Sequence, residues 1–223
     1  MPDWSGMAGM SAERKTFRRE GEDQRRRELV EATLGCIAEL GMERTTSREI
    51  AIRAGVTPGL IRHYFAGKDE LVLAAYRRHV EELAAHAEKA VEEAGSDPAA
   101  RLSALIVGTL SSPVVDQTNL SLWAGFIETV RASPAMAEVH REGYEHYRRL
   151  SEALIGDALE AAGRKASNAE CTRLGIMLNA LIDGLWLEGS LSPSEFNGGK
   201  LADIGLEAAS AILDIKLGNR AED

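Results

Sequence analysis

Within residues 57–63 the chain sets a hydroxyl (Thr57), a proline (Pro58), a bare backbone (Gly59), a guanidinium (Arg62) and an imidazole (His63) close together. No nucleophile stands beside a base here, so covalent chemistry has little to work with. The set suits an anionic surface rich in hydrogen-bonding groups. Hydroxyl and guanidinium groups bond phosphate oxygens, a threonine methyl can meet a thymine methyl, and basic side chains reach purine edges. Gly59 lets backbone approach such a surface closely. Arg48 before the set, and Lys68 after it, stand where backbone phosphates would lie.

These residues need a rigid mount, and the flanking pattern supplies one. Val56, Leu60, Ile61, Tyr64 and Phe65 recur at helical spacing, which leaves Thr57, Gly59, Arg62 and His63 facing outward. Thr57 reads as the N-cap of this short helix and Pro58 as its first residue, where a missing N–H costs nothing. Gly55 ends the preceding helix, which Thr46 and Glu49 open as a capping box. The helix before that runs from about Asp23 to Leu40 and stops at Gly41. Two helices joined by so tight a glycine–proline turn form a helix-turn-helix, whose second helix enters a major groove. A plain corner between helices would not need an outward face that is small, polar and basic together.

A second constellation lies in the C-terminal half: Trp123, Phe126, Tyr144, Tyr147 and Trp186, with Asp183 inside an apolar run. A buried carboxylate must be paired. Beside Trp186, Asp183 would suit a cationic ligand, since aromatic faces attract quaternary ammonium groups. A structural Asp-Gly at a helix crossing is the competing reading, and core packing accounts for each aromatic taken singly. His140 and His146 are six residues apart, on different sides of one helix, so no metal is expected. The chain has no glycine-rich phosphate loop, nucleophile elbow or loop of clustered carboxylates, so neither an enzyme nor a cofactor is expected.

The elements that hold both constellations are helical throughout. Hydrophobic residues make up 44% of the 223, against 6 prolines and 5% aromatics, which favours helices over a loop-rich or sandwich fold. A fourth helix follows "AGKDE" from about Lys68. Asp97-Pro98 starts the next, running to about Ser111; "SPVVDQT" connects to a helix bearing Leu122, Trp123, Phe126, Ile127 and Val130. Pro134 opens a long helix to about Ala162. Ser167 and Glu170 form a further capping box, Ser192–Glu195 is another start signal, and a last helix covers about Lys200 to Leu217. The expected fold is all-α. Residues 1–22 form a flexible arm, 23–67 a three-helix head, 68–93 a connecting helix and 94–223 a larger helical body.

The net charge of −9 divides unevenly. Through His86 the chain carries 14 Lys+Arg and 14 Asp+Glu; the remaining 12 and 21 supply the whole excess. Basic residues of the front cluster in "RKTFRR" (14–19) and "RRR" (25–27), as expected of a nucleic-acid-binding head on an acidic body. Cys36 and Cys171 are far apart and read as reduced thiols of a cytoplasmic protein. The N-terminus lacks a secretory pattern, and no apolar stretch reads as long enough to span a membrane. Residues 174–187 are apolar nearly all round, so they should be covered all round. One face would meet its own domain. With the final helix the other would meet a second copy, through Leu178, Leu185, Ile204, Ile212 and Leu213.

"TTSREIAIRAGVTPGLIRHYFAGKDELVLAAYRRHV" closely resembles the DNA-binding region of the TetR family of one-component bacterial regulators. The agreement lies in Thr46, Ile50-Ala51, Ala54-Gly55-Val56, Thr57, and Tyr64-Phe65 with Lys68 and Leu71. It covers about residues 24–85. The resemblance implies an all-helical homodimer whose heads bind double-stranded operator DNA and whose bodies sense a small-molecule inducer. Carried over by position, Thr57, Gly59, Arg62 and His63 would be recognition-helix contacts, and Tyr64 and Lys68 phosphate contacts. "LWAGFIE" (122–128) and "ALIDGLWLEGSLS" (180–192) resemble the C-terminal domain of BetI-type repressors, which respond to choline; Ile127 stands where those carry a second aromatic. The expected function is a repressor released from a palindromic operator by its inducer, choline-like first and a neutral lipophile second. A helical adaptor that binds only protein is the alternative.

Overall fold

A computed structural model describes residues 5–218, and these form nine α-helices and one 3₁₀ turn with no strand among them. The chain divides into two compact units at Tyr76 and Arg77, within the fourth helix.

The first unit holds α1 (Ser5–Leu40), α2 (Ser47–Arg53), α3 (Pro58–Tyr64) and the start of α4 (Lys68–Glu93). Leu29 and Ile37 of α1, Ile50 of α2, Ile61 of α3 and Leu71 of α4 are all fully buried and form its centre. Each such side chain contributes roughly 1.5–3 kcal/mol by leaving water. Gly41 and Gly55 have φ of 79° and 64°, the left-handed conformation that lets a helix stop sharply. The Thr46 hydroxyl accepts from the Glu49 N–H at 3.2 Å, which caps α2 as the sequence pattern predicts. α2 is pinned to α1 by Arg53, which bonds both carboxylate oxygens of Glu39 at 2.6 and 2.7 Å. Gly35 makes room for this pair, since a Cβ there would lie 2.4 Å from Arg53 Nε.

α1 begins at Ser5, well before the start near Asp23 that the apolar period suggests. Residues 11–20 are rich in Ala, Glu, Lys and Arg, which propagate a helix without needing an apolar face. Apolar periodicity marks where a helix is packed, so it misses a stretch that is helical by propensity. Residues 1–4 of the expected arm lie outside the described residues.

The second unit comprises the rest of α4 with α5 (Pro98–Thr109), α6 (Gln117–Ala132), α7 (Pro134–Ala161), α8 (Asn168–Leu191) and α9 (Lys200–Leu213). Asp97, Asp116, Ser133 and Ser167 each accept a backbone N–H at the N-terminus of α5, α6, α7 and α8. One core cluster is drawn from α4, α5, α7, α8 and α9, centred on Leu102, Leu105, Ile155, Leu159, Leu178 and Leu213, and Leu122 and Phe126 of α6 are buried beside His79, Met136 and Val139 outside it. Ser192–Glu195 does not start a helix. Ser192 ends α8, and its carbonyl accepts from the Glu195 N–H in a turn that precedes the 3₁₀ residues Asn197–Gly199. α9 stops at Leu213, short of Leu217, because Asp214 turns left-handed at φ 54°.

One expectation is overturned: α8, at 24 residues with a mean hydropathy of 1.2 over its most apolar window, is long and apolar enough to cross a membrane. Its Leu174, Leu178 and Ile182 are instead enclosed by the unit's own core. A core helix with a second apolar face passes the same compositional test.

Candidate functional site

In the first unit, α3 sorts its residues as a groove-reading helix must. Ile61 and Phe65 are buried; Val56, Leu60 and Tyr64 are half-buried; Thr57, Pro58, Gly59, Arg62 and His63 are exposed. Thr57 occupies the N-cap position with extended backbone, yet its side chain makes no cap bond. Its exposed hydroxyl is not spent on capping the helix. Pro58 sits in the first turn as predicted. Arg48 is exposed on α2, and Lys68 is half-buried at the first residue of α4. The rings of His63 and Tyr64 meet edge to face at 4.9 Å.

The C-terminal end of α3 is held by a residue that sequence reasoning left among a charge run. Arg26 of α1 donates from Nη1 to the Tyr64 carbonyl, and its guanidinium lies 4.3 Å from the centre of the Phe65 ring. One arginine thus satisfies a terminal carbonyl and covers the aromatic anchor, fixing the angle at which α3 leaves the head. No local pattern announces this contact, because its partners are 38 residues apart.

In the second unit, four of the six expected ligand residues gather around the outer side of α8. Tyr144 of α7 donates to Asp183 Oδ2 at 3.5 Å, and Asn179 Nδ2 donates to the same oxygen at 3.0 Å. Trp186, one turn beyond Asp183, meets Trp123 of α6 edge to face with ring centres 6.0 Å apart. Its indole N–H is fixed by the Val114 carbonyl at 3.0 Å. His140 lies one turn before Tyr144, ring centres 4.4 Å apart. Asn179 and His140 escaped the sequence reading as site members, although each stands four residues from a residue it meets, a spacing that brings side chains together on a helix.

Burial raises the Asp183 carboxyl above its ordinary range, while the bonds from Tyr144 and Asn179 pull it back down. Burial, then the nearby Asp183 charge, pushes the Tyr144 phenol up to about 12, so it remains a donor. Burial lowers the His140 imidazole, which favours its neutral form. The result is a carboxylate still open to solvent, with aromatic rings close by and, among the described residues, no basic side chain bonded to it. Such a cluster attracts a compact cation and repels an anion.

The other two expected residues lie elsewhere. Phe126 is 1% exposed and stacks on buried His79 of α4 at 6.1 Å, so it belongs to the core. Tyr147 packs against the core cluster, its hydroxyl 3.4 Å from that of Thr109. Both were placed with the ligand group by residue type alone, which does not tell a pocket wall from a core.

Of the residues expected between two copies, Leu178 and Leu213 are fully enclosed by their own protomer and have no surface to offer. Leu185, Ile204 and Ile212 are half-buried. The apolar residues α8 does expose are Ile176, Met177 and Leu191, at 52%, 39% and 63%. The all-round apolar pattern carried no mark of which residues the unit's own core would enclose and which it would leave exposed.

Comparison with known proteins agrees with both halves. Residues 29–75 match the tetR family of bacterial regulatory proteins, and residues 98–214 match the BetI-type transcriptional repressor C-terminal family. The HTH-type transcriptional regulator BetI of Stenotrophomonas maltophilia (strain R551-3) is 31% identical over 179 residues, which is 80% of this chain and 88% of that protein. A transcriptional regulator from Pseudomonas aeruginosa PAO1 superposes with a TM-score of 0.75 at 32% identity, covering 86% of this chain and 89% of that one. A regulator from Saccharomonospora viridis, solved in complex with choline, has the same fold at a TM-score of 0.68 and 21% identity, covering 89% and 100%.

Proposed function

The chain belongs to the TetR family of bacterial regulatory proteins, with a BetI-type C-terminal domain, and from that premise we propose how it works: a cytoplasmic homodimeric repressor, released from its operator by a small cation. It is a ligand-responsive, DNA-binding transcriptional regulator. In this reading residues 23–67 are the DNA-binding head, α4 the connection, and 94–223 the body for ligand binding and dimerisation. No catalytic step is assigned to it.

The observation that carries the DNA reading is the division of α3. Its buried Ile61 and Phe65 hold the helix while Thr57, Gly59, Arg62 and His63 stand outward at its groove-facing side. The observation that favours a cationic inducer is the Asp183 carboxylate, held by Tyr144 and Asn179 one turn from Trp186. A choline-like quaternary ammonium fits that chemistry, a reading supported by the BetI name of the relatives and by the choline held in the Saccharomonospora neighbour. The exposed Ile176 and Met177 of α8 support a second copy as partner. A ligand frees the operator only by binding the released conformation more tightly than the bound one.

The test uses a fluorescent duplex selected from a random pool by the protein itself. Choline, betaine aldehyde, spermidine and a neutral lipophile such as decanol are titrated in, reading operator release and thermal midpoint. Choline or betaine aldehyde should release the duplex and raise the midpoint, and Asp183→Asn should abolish both effects. If decanol alone acts, and Asp183→Asn leaves its effect intact, the cationic inducer is wrong and the neutral one stands.

A further inference from the structure

The turn from α3 into α4 carries negative charge where a phosphate backbone is expected. Lys68, the first residue of α4, is followed by Asp69 and Glu70, both exposed. Carboxylates beside a lysine that meets phosphate repel the same phosphates, over a range of about 8 Å at physiological salt. Neither carboxylate neutralises the lysine, since Lys68 forms no ion pair among the described residues.

The Glu70 carboxylate is engaged elsewhere. Its Oε2 accepts from the Ala66 N–H, a backbone donor that no carbonyl takes among the described residues. In the same turn the Tyr64 carbonyl accepts from Arg26, and the Gly67 carbonyl accepts from the Leu71 N–H at 3.3 Å. Phe65 and Leu71, 3% and 0% exposed, anchor the two ends. Between these anchors every residue is exposed or half-buried. Hydrogen bonds to the backbone, rather than packing, therefore set the path of the segment that presents Lys68.

We propose that Glu70 is a positioning residue for the phosphate contact of Lys68. By holding the Ala66 N–H it fixes the turn from which the ammonium reaches the duplex, and by facing that N–H it leaves the ammonium unpaired. The inference rests on the DNA-binding reading of the head. A carboxylate that only diluted the positive charge of this surface would act in the opposite direction, because its removal would strengthen binding.

The test measures binding of the full-length protein to its selected duplex across salt concentrations, in Glu70→Gln and Glu70→Asp variants, each with and without Lys68→Ala. Glutamine keeps an acceptor oxygen at the same reach. It should bind at least as tightly as the unaltered protein, with the same slope of log affinity against log salt. Aspartate keeps the charge but is one methylene short. It should bind about tenfold more weakly, the weight of one hydrogen bond to a charged group. Its slope should be shallower by about 0.9, one phosphate contact, although no basic residue has changed. Adding Lys68→Ala to Glu70→Asp should cost nothing further, because the contact is already lost.

Additive losses in that double variant overturn the positioning role. So does a glutamine variant that loses as much as the aspartate one, or an aspartate variant that binds as the unaltered protein does. Where Lys68→Ala alone still lowers the slope, these outcomes leave the DNA-binding reading intact. If the unaltered protein binds no duplex at any salt, both readings fall together.

Discussion

Gly143 of α7 lies so close to Val80 of α4 that a Cβ on position 143 would sit 2.4 Å from Val80 Cγ1. Valine is stiff at χ1 and cannot swing aside, so an added methyl must move one helix away from the other. Arg77–Glu142 at 3.3 Å and Glu88–His146 at 2.6 Å join the same two helices on either side of this contact. Tyr144, which holds Asp183, is the next residue along α7. Gly143→Ala should therefore cost about 1–3 kcal/mol, the usual range for overpacking. A thermal midpoint equal to that of the unaltered protein would contradict so close a crossing.

Arg62 and Lys68 should respond differently to removal. Arg62→Ala should weaken the selected duplex by about 1–3 kcal/mol and relax preference at one base position, if its guanidinium reads a base edge. Lys68→Ala should weaken selected and scrambled duplexes alike and lower the salt slope by about 1. Equilibrium titrations at several salt concentrations separate the two. Identical profiles for the two variants would dissolve the distinction between a base contact and a phosphate contact.

His79 gives the second unit a pH dependence of known sign. Burial pulls its imidazole down to about 4, partly offset by the Asp116 charge, while an unfolded chain titrates near 6.5. Between these values the unfolded chain takes up a proton that the folded chain refuses. The stability is complete above about pH 6.5 and declines as pH falls through 4, by about 3 kcal/mol from this group. Asp183, whose carboxyl is raised by burial, works in the opposite direction in acid. The comparison is therefore urea denaturation of wild type against His79→Phe at matched pH. The stability difference between them should change by this amount from pH 7 to pH 4; a constant difference would show that the ring takes up its proton as readily in the fold as in the unfolded chain.

Assembly through α8 should fail when its outward face is charged. Ile176→Glu places a carboxylate on a half-exposed apolar surface, which a monomer tolerates and an apolar interface between copies does not. Sedimentation should show a folded monomer with weakened operator affinity. A dimer of unchanged strength would move the interface elsewhere. Leu213→Glu would not serve, because Leu213 is fully buried within its own protomer and the variant would report on folding.

The helices, most of their ends and the division of α3 into a packed and an open side were legible in the sequence. Thr46, Asp97, Ser133-Pro134 and Ser167 each act within four residues of their own position, and Gly41 and Gly55 stop helices by their own backbone freedom. Signals so local survive without knowledge of the fold. The same holds for α3, where a seven-residue helix has room for one packed side and one open side. Packing between distant helices settles which like residues part company. Leu178 and Ile176 are two residues apart on one apolar helix, yet one is fully enclosed and the other half exposed. Phe126 and Trp123 divide in the same way between core and cluster. An apolar side chain seeks cover without specifying whose, and the partner that decides it comes from a distant helix. Asp183 found Tyr144 39 residues away, and Arg26 found Tyr64 38 away, contacts that exist only once the helices have packed.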